Sequence, residues 1–127
     1  LGLPGNWHGL AHGAGKKGGY EKLGRFDQFL AEQLSYFLKR LQDTPEGDAT
    51  LLDRTLVFYG SSNSRTHNNN NYPLVLAGGG ALGVQHGQYL KFSAKTPLSN
   101  LFVTMLDRLD VPVDAFADST GEMSELI

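Results

Sequence analysis

The chain has 127 residues, 40% hydrophobic and 19% charged, with a formal charge of −2 and no cysteine. A chain of this length buries roughly two-thirds of the surface its unfolded form exposes, enough for one core. We therefore read it as a single α/β domain, residues 1–127. The composition argues against a wholly disordered chain, and the missing basic excess argues against a nucleic-acid partner. Disulfides, thiolate metal sites and cysteine nucleophiles are excluded outright. No stretch reaches the roughly 20 apolar residues a membrane helix needs, so no membrane span is expected.

Residues 1–19 are glycine-rich, hold His8 and His12, and read as loop. The first fifteen residues carry no charge and are broken by five glycines and one proline, unlike a signal peptide. The chain starts at Leu1, and we read it as a processed piece or a segment of a longer polypeptide.

The pattern turns helical over about 20–42. Leu23, Phe26, Leu30, Leu34, Phe37 and Leu41 recur at spacings of three and four, which places them on one face. Thr44-Pro45-Glu46-Gly47 then ends the helix and turns the chain. The β-branched and aromatic run Thr55 to Gly60 predicts a buried strand over about 54–60, and Pro73 to Ala77 a second over about 73–78. The polar stretch Ser61 to Asn71 between them must be an exposed loop. Neither run alternates with polar residues, so both faces of the small sheet are expected to be covered by helices. After Gly78-Gly79-Gly80 comes a looser segment to Phe92 with room for one more strand. Thr96-Pro97 predicts a helix start, with threonine as cap, and Leu98, Leu101, Phe102, Met105 and Leu109 form the apolar face of a helix over about 97–110. Residues 111–127 are an acidic tail, in which Asp118 is expected to accept backbone N–H bonds as a turn cap. Charge is divided along the chain. Residues 1–40 carry six Lys/Arg and three Asp/Glu, and the remainder five and ten.

Three motifs bear on chemistry. In His8-Gly9-Leu10-Ala11-His12 the imidazoles are four apart. They face the same way if the segment is helical or tightly turned, and can then share one divalent ion, zinc being favoured for neutral imidazole. Spacing alone leaves open that both are plain loop residues, with no cofactor. His67 lies in the polar loop after a strand, where open α/β sheets gather ligands. It is the candidate third ligand beside His8 and His12. Asn63 and Arg65 are candidate substrate-binding residues, Arg65 for an anionic group. The bland alternative is a polar turn.

Gly78-Gly79-Gly80-Ala81-Leu82-Gly83 fits G-x-G-x-x-G in form. The fingerprint needs a helix next and an acid about twenty residues on, and neither follows at that place. We read it as a tight backbone turn. Ser61, Ser62 and Ser64 lack the G-x-S-x-G elbow of a serine hydrolase, so no catalytic residue is assigned. His86 reads as a structural histidine.

Taken in order, HGLAHG, EGDATLLDRTLVFYGSSNSRTHNNNNYPLVLAGGG, HGQYL, TPLSNLFVTMLDRL and FADSTG resemble the C-terminal part of an uncharacterised bacterial family known for an HxxSHH motif. The resembling segments run from His8 almost to the end of the chain. His8 and His12 match the first two histidines of the motif, while Ala11 and Gly13 stand where the family has serine and histidine. The family consists of larger exported proteins, usually with a twin-arginine-type signal, and is distantly similar to the alkaline phosphatase/sulfatase superfamily. The resemblance implies export to the periplasm or outside the cell. It also implies a partner, either an upstream protein segment or a homo- or hetero-oligomer, with nucleophile and further carboxylate ligands upstream of this chain. Two functions follow as expectations. One is a segment lending a histidine metal site to a metal-dependent, alkaline phosphatase-like hydrolase. The other is a non-catalytic structural or interaction module of an exported or surface assembly.

Overall fold

The computed structural model describes residues 1–127 except Pro4, Arg65, Thr66 and Tyr72. It is a small α/β structure with two compact units, Leu1–Arg40 and Leu41–Ile127.

The first unit holds α1 (Trp7–His12) and nearly all of α2 (Gly19–Gln42). Helix α1 lies inside the stretch read as loop. Asn6 explains it: its Oδ1 accepts the Gly9 N–H at 2.8 Å, satisfying a helix-end donor, while its own backbone is extended. Gly13 closes the far end, its N–H directed at the Gly9 and Ala11 carbonyls. Leu10 is the buried residue of this helix. Helix α2 covers the expected span, and its basic residues Lys39 and Arg40 sit in the last turn, where the helix dipole favours them. None of its residues is buried, and Phe37 of its apolar face is exposed. Arg25 of α2 donates to the Leu1 carbonyl at 3.2 Å.

The second unit begins where α2 ends. β1 (Pro45–Glu46) and β2 (Ala49–Thr50) form a minimal hairpin around Gly47, whose φ of +62° suits a residue without Cβ. The Leu52 N–H donates to the Leu41 carbonyl and ties the following turn back to the end of α2. Asp53 fastens that turn. Its Oδ2 accepts the Thr50 hydroxyl at 2.6 Å and the Thr50 N–H at 2.9 Å. These bonds, the hydroxyl foremost, hold the Asp53 carboxyl below the ordinary carboxylate range, with the Arg54 charge adding to them.

β3 (Leu56–Gly60) and β4 (Leu74–Gly78) pair antiparallel, Leu56 opposite Gly78 and Gly60 opposite Leu74. Both strands are mostly half-buried, and Val75 is 46% exposed. One face of the ribbon carries Leu56, Phe58, Leu74 and Leu76, and from it Phe58 meets Phe102 edge-on, with ring centroids 5.7 Å apart. Helix α3 (Ser99–Arg108) supplies Phe102, which in turn meets Phe116 of the tail at 5.9 Å.

Gly78 and Gly79 both have positive φ, +78° and +74°. A Cβ on Gly78 would sit 2.1 Å from the Thr55 carbonyl oxygen, and one on Gly79 would sit 2.3 Å from Leu56 Cδ2. The glycine run is thus a close backbone crossing, followed by a three-residue 3-10 helix, Gly80–Leu82, and not by the α-helix a dinucleotide fold requires. Between Leu82 and Leu98 no third strand forms among the described residues. The extra strand expected before Phe92 is therefore absent, and Gly83 and Gly87, both at positive φ, break extended backbone there.

The start of α3 also differs from expectation. Thr96 makes no cap bond; the first turn is set by Asn100 and Leu101 N–H groups reaching the Pro97 and Leu98 carbonyls. Helix α3 carries most of the buried residues of this unit, with Leu101, Val103 and Thr104 among them, and Val84 and Met123 from elsewhere complete the core. The tail is pinned to α3 by side chains. Thr104 Oγ1 accepts the Met123 N–H at 2.8 Å, and Asn100 Oδ1 accepts the Thr120 N–H at 2.8 Å. Asp118 accepts the Ser99 hydroxyl at 2.7 Å. That bond replaces the backbone cap expected of Asp118, because the turn lies against the first turn of α3. No helix among the described residues is long and apolar enough to cross a membrane.

Candidate metal centre

The i, i+4 spacing of His8 and His12 falls within α1, which turns both side chains to one side. Their rings stand edge-to-face with centroids 4.5 Å apart. A ligand nitrogen of each lies within 4.8 Å of the other, and both residues are exposed. Two nitrogens on one tetrahedral zinc stand about 3.3 Å apart, as follows from Zn–N bonds near 2.0–2.1 Å. The Asn6 cap therefore matters to the chemistry, since it holds the six-residue helix that makes the two rings neighbours.

His67 sits in the segment joining β3 to β4. It is exposed and has a left-handed backbone, φ +59°. The segment around it is braced from within. The Ser64 N–H reaches the Asn68 carbonyl at 2.7 Å, and the Ser64 hydroxyl lies 3.2 and 2.7 Å from the Asn68 and Asn70 carbonyls. The Asn70 N–H donates to Asn68 Oδ1 at 2.8 Å. With its hydroxyl held on carbonyls, Ser64 is not set up as a nucleophile. Because β3 and β4 are antiparallel, this segment joins the two strands of a hairpin. The rule that ligands collect at the carboxyl ends of parallel strands thus gives His67 no support here.

His8 and His12 of the first unit are exposed imidazoles, a donor pair suited to zinc-type chemistry, while His67 is an exposed imidazole of the second unit. Of the two residues expected to touch substrate, Asn63 is half-exposed and turned to local use. Its N–H donates to Ser61 Oγ at 3.2 Å, and its side-chain amide to Ser62 Oγ at 3.4 Å. Arg65 lies outside the described residues. His86 has a structural role, as its sequence context suggested: its Nε2 donates to the Gly78 carbonyl at 2.5 Å, bracing the glycine crossing.

The sequence reading found the spacing of the histidine pair and missed the helix that makes the spacing effective. The missed signal was Asn6 in front of the pair, a good capping residue at the right distance. No family model, curated protein or solved structure matches the chain.

Proposed function

We propose that this chain contributes imidazole ligands to a divalent metal site of a hydrolase-like protein. His8 and His12 form the core of the site, and His67 is kept as a third ligand on its sequence position alone. The observation that carries the reading is the α1 pair: two exposed rings at helical spacing, on a helix capped by Asn6, with ligand nitrogens within 4.8 Å. A bound ion would polarise a phosphoryl- or sulfuryl-type oxygen, or activate an oxygen nucleophile. The work left to this chain is to present neutral imidazoles, because only a deprotonated ring nitrogen binds the ion. Asn63 and Arg65 remain the residues proposed to meet an anionic substrate. Export to the periplasm or beyond, and a polypeptide supplying further ligands, belong to the same proposal and rest on the family resemblance.

A second reading has its own support. Ala11 and Gly13 stand where the motif this chain resembles has serine and histidine. Both favour a module that binds a metal or a partner without performing catalysis. The test combines metal analysis with phosphate- and sulfate-ester hydrolysis. Zinc bound in a one-to-one ratio, and lost in His8→Gln and His12→Gln, supports the metal site. Ester hydrolysis that depends on the same residues selects the hydrolase over the non-catalytic module. A metal-free protein that is indifferent to both substitutions refutes both forms of the proposal.

A further inference from the structure

Helix α1 is shorter than a helix that stands by itself. Starting a helix fixes several backbone angles for one hydrogen bond, so isolated helices below about 12–15 residues are marginal in water. α1 has six residues, with Gly9 in its interior and Gly13 at its end. Glycine is the poorest helix former after proline. Against this stand the Asn6 cap and the buried Leu10. The histidine pair adds a force of a different kind. In α1 the His8 and His12 rings are neighbours, with centroids 4.5 Å apart. In an extended segment two residues at this spacing stand about 13 Å apart. An ion bound by both rings therefore selects the turned backbone over the extended one. A ligand that prefers one conformation shifts the population toward it, and the coupling is reciprocal.

The corner that follows α1 carries its order onward. The Lys16 N–H donates to the Gly13 carbonyl at 3.0 Å, and the Gly19 N–H to the Lys16 carbonyl at 2.8 Å. A Cβ on Gly19 would lie 2.1 Å from the Gly13 carbonyl oxygen. The end of α1 thus lies directly against the first residue of α2. Resting on the metal reading of the histidine pair, we propose that α1 is a metal-set helix. Partly formed without the ion, it is completed by zinc bound to His8 and His12, and the corner leading into α2 is fixed with it. Metal occupancy is thereby converted into the order of residues 7–19. The apparent zinc affinity is that of the formed helix, scaled by the fraction of chains in which the helix is formed. Residues that never touch the ion then help to set how tightly it binds.

The test is zinc titration of the unaltered chain, followed through the histidine ring signals and the Cα signals of residues 7–12. Both sets should move together, the Cα signals toward helical values. Three variants then probe the coupling through residues that are not ligands. Gly9→Ala favours the helix, and its Cβ would meet Asn6 Oδ1 at 3.4 Å, an ordinary contact. It should tighten zinc binding by about two- to fivefold, as the gap in helix propensity between glycine and alanine implies. Asn6→Ala removes the cap and should weaken binding by about as much. Gly24→Ala, the same change at an open position in α2, should leave the affinity unaltered. Ring signals that follow zinc while the Cα signals stay still overturn the coupling and leave the metal site standing. So does a zinc affinity that Gly9→Ala leaves unchanged, or that Gly24→Ala raises equally. Rings that never respond to zinc remove the site and the coupling together.

Discussion

Helices α2 and α3 both read as amphipathic, yet they end in different surroundings. The 24 residues of α2 include none that is buried, while five of the ten in α3 are buried. Periodicity tells which face of a helix is apolar; whether that face is covered depends on what the rest of the chain brings to it. In α3 the cover comes with polar anchors. Ser99, Asn100 and Thr104 are buried because Asp118, Thr120 and the Met123 N–H, 19 or 20 residues further on, meet them. The stability of the second unit should therefore be concentrated around α3, and α2 should tolerate change.

The largest effect should come from Leu101→Ala, which leaves a cavity at a residue only 6% exposed. Urea unfolding should show a loss of about 3 kcal/mol. An equal loss from Leu34→Ala, at a half-exposed site in α2, would erase the distinction between the helices; under about 1 kcal/mol is expected there. Next is Thr104→Val. It keeps the shape and removes the acceptor for the Met123 N–H, stranding a buried donor. About 2 kcal/mol should be lost, with faster hydrogen exchange in the tail. Asn6→Ala should reduce the helical content of α1 by removing its cap, at a cost of about 1 kcal/mol to that helix, read from the amide shifts of residues 7–12. Phe37→Ser, at 48% exposure, should change stability by less than about 0.5 kcal/mol.

The smallest effect is one of pH. The Asp53 carboxyl titrates lower in the folded chain than in the unfolded one, chiefly through the Thr50 hydroxyl. Its contribution is thus present above the unfolded value of about 3.9 and is lost as pH falls through the lower folded value. Thr50→Val should flatten that part of the acid-unfolding curve, and a curve identical to that of the unaltered chain would contradict this reading.

Much of the fold could be read in the residues. Leu56–Gly60 and Leu74–Gly78 are β-rich runs bounded by glycine or proline, and α2 and α3 follow their apolar spacing to within two residues at each end. Pairing direction was not legible, since an apolar run looks the same in a parallel and an antiparallel sheet. Nor were the buried polar residues of α3, because their partners lie in a tail without periodicity. At the candidate site the residues revealed the i, i+4 spacing of His8 and His12. They concealed α1, because two glycines flank and interrupt so short a segment and outweigh its cap in any propensity sum. The local bonds of Asn63 to the Ser61 and Ser62 hydroxyls were equally illegible, since only the folded turn brings those groups together.

The central claim is that the α1 imidazoles share a metal ion, and zinc titration followed by NMR of the histidine rings tests it most directly. The account predicts that the His8 and His12 ring signals shift together and saturate at one zinc per chain. His12→Gln should then weaken binding by at least the roughly 10- to 100-fold typical of losing a residue that only supports a ligand. Rings that stay unshifted as zinc is added, or zinc bound equally well after His8→Gln and His12→Gln, would contradict it.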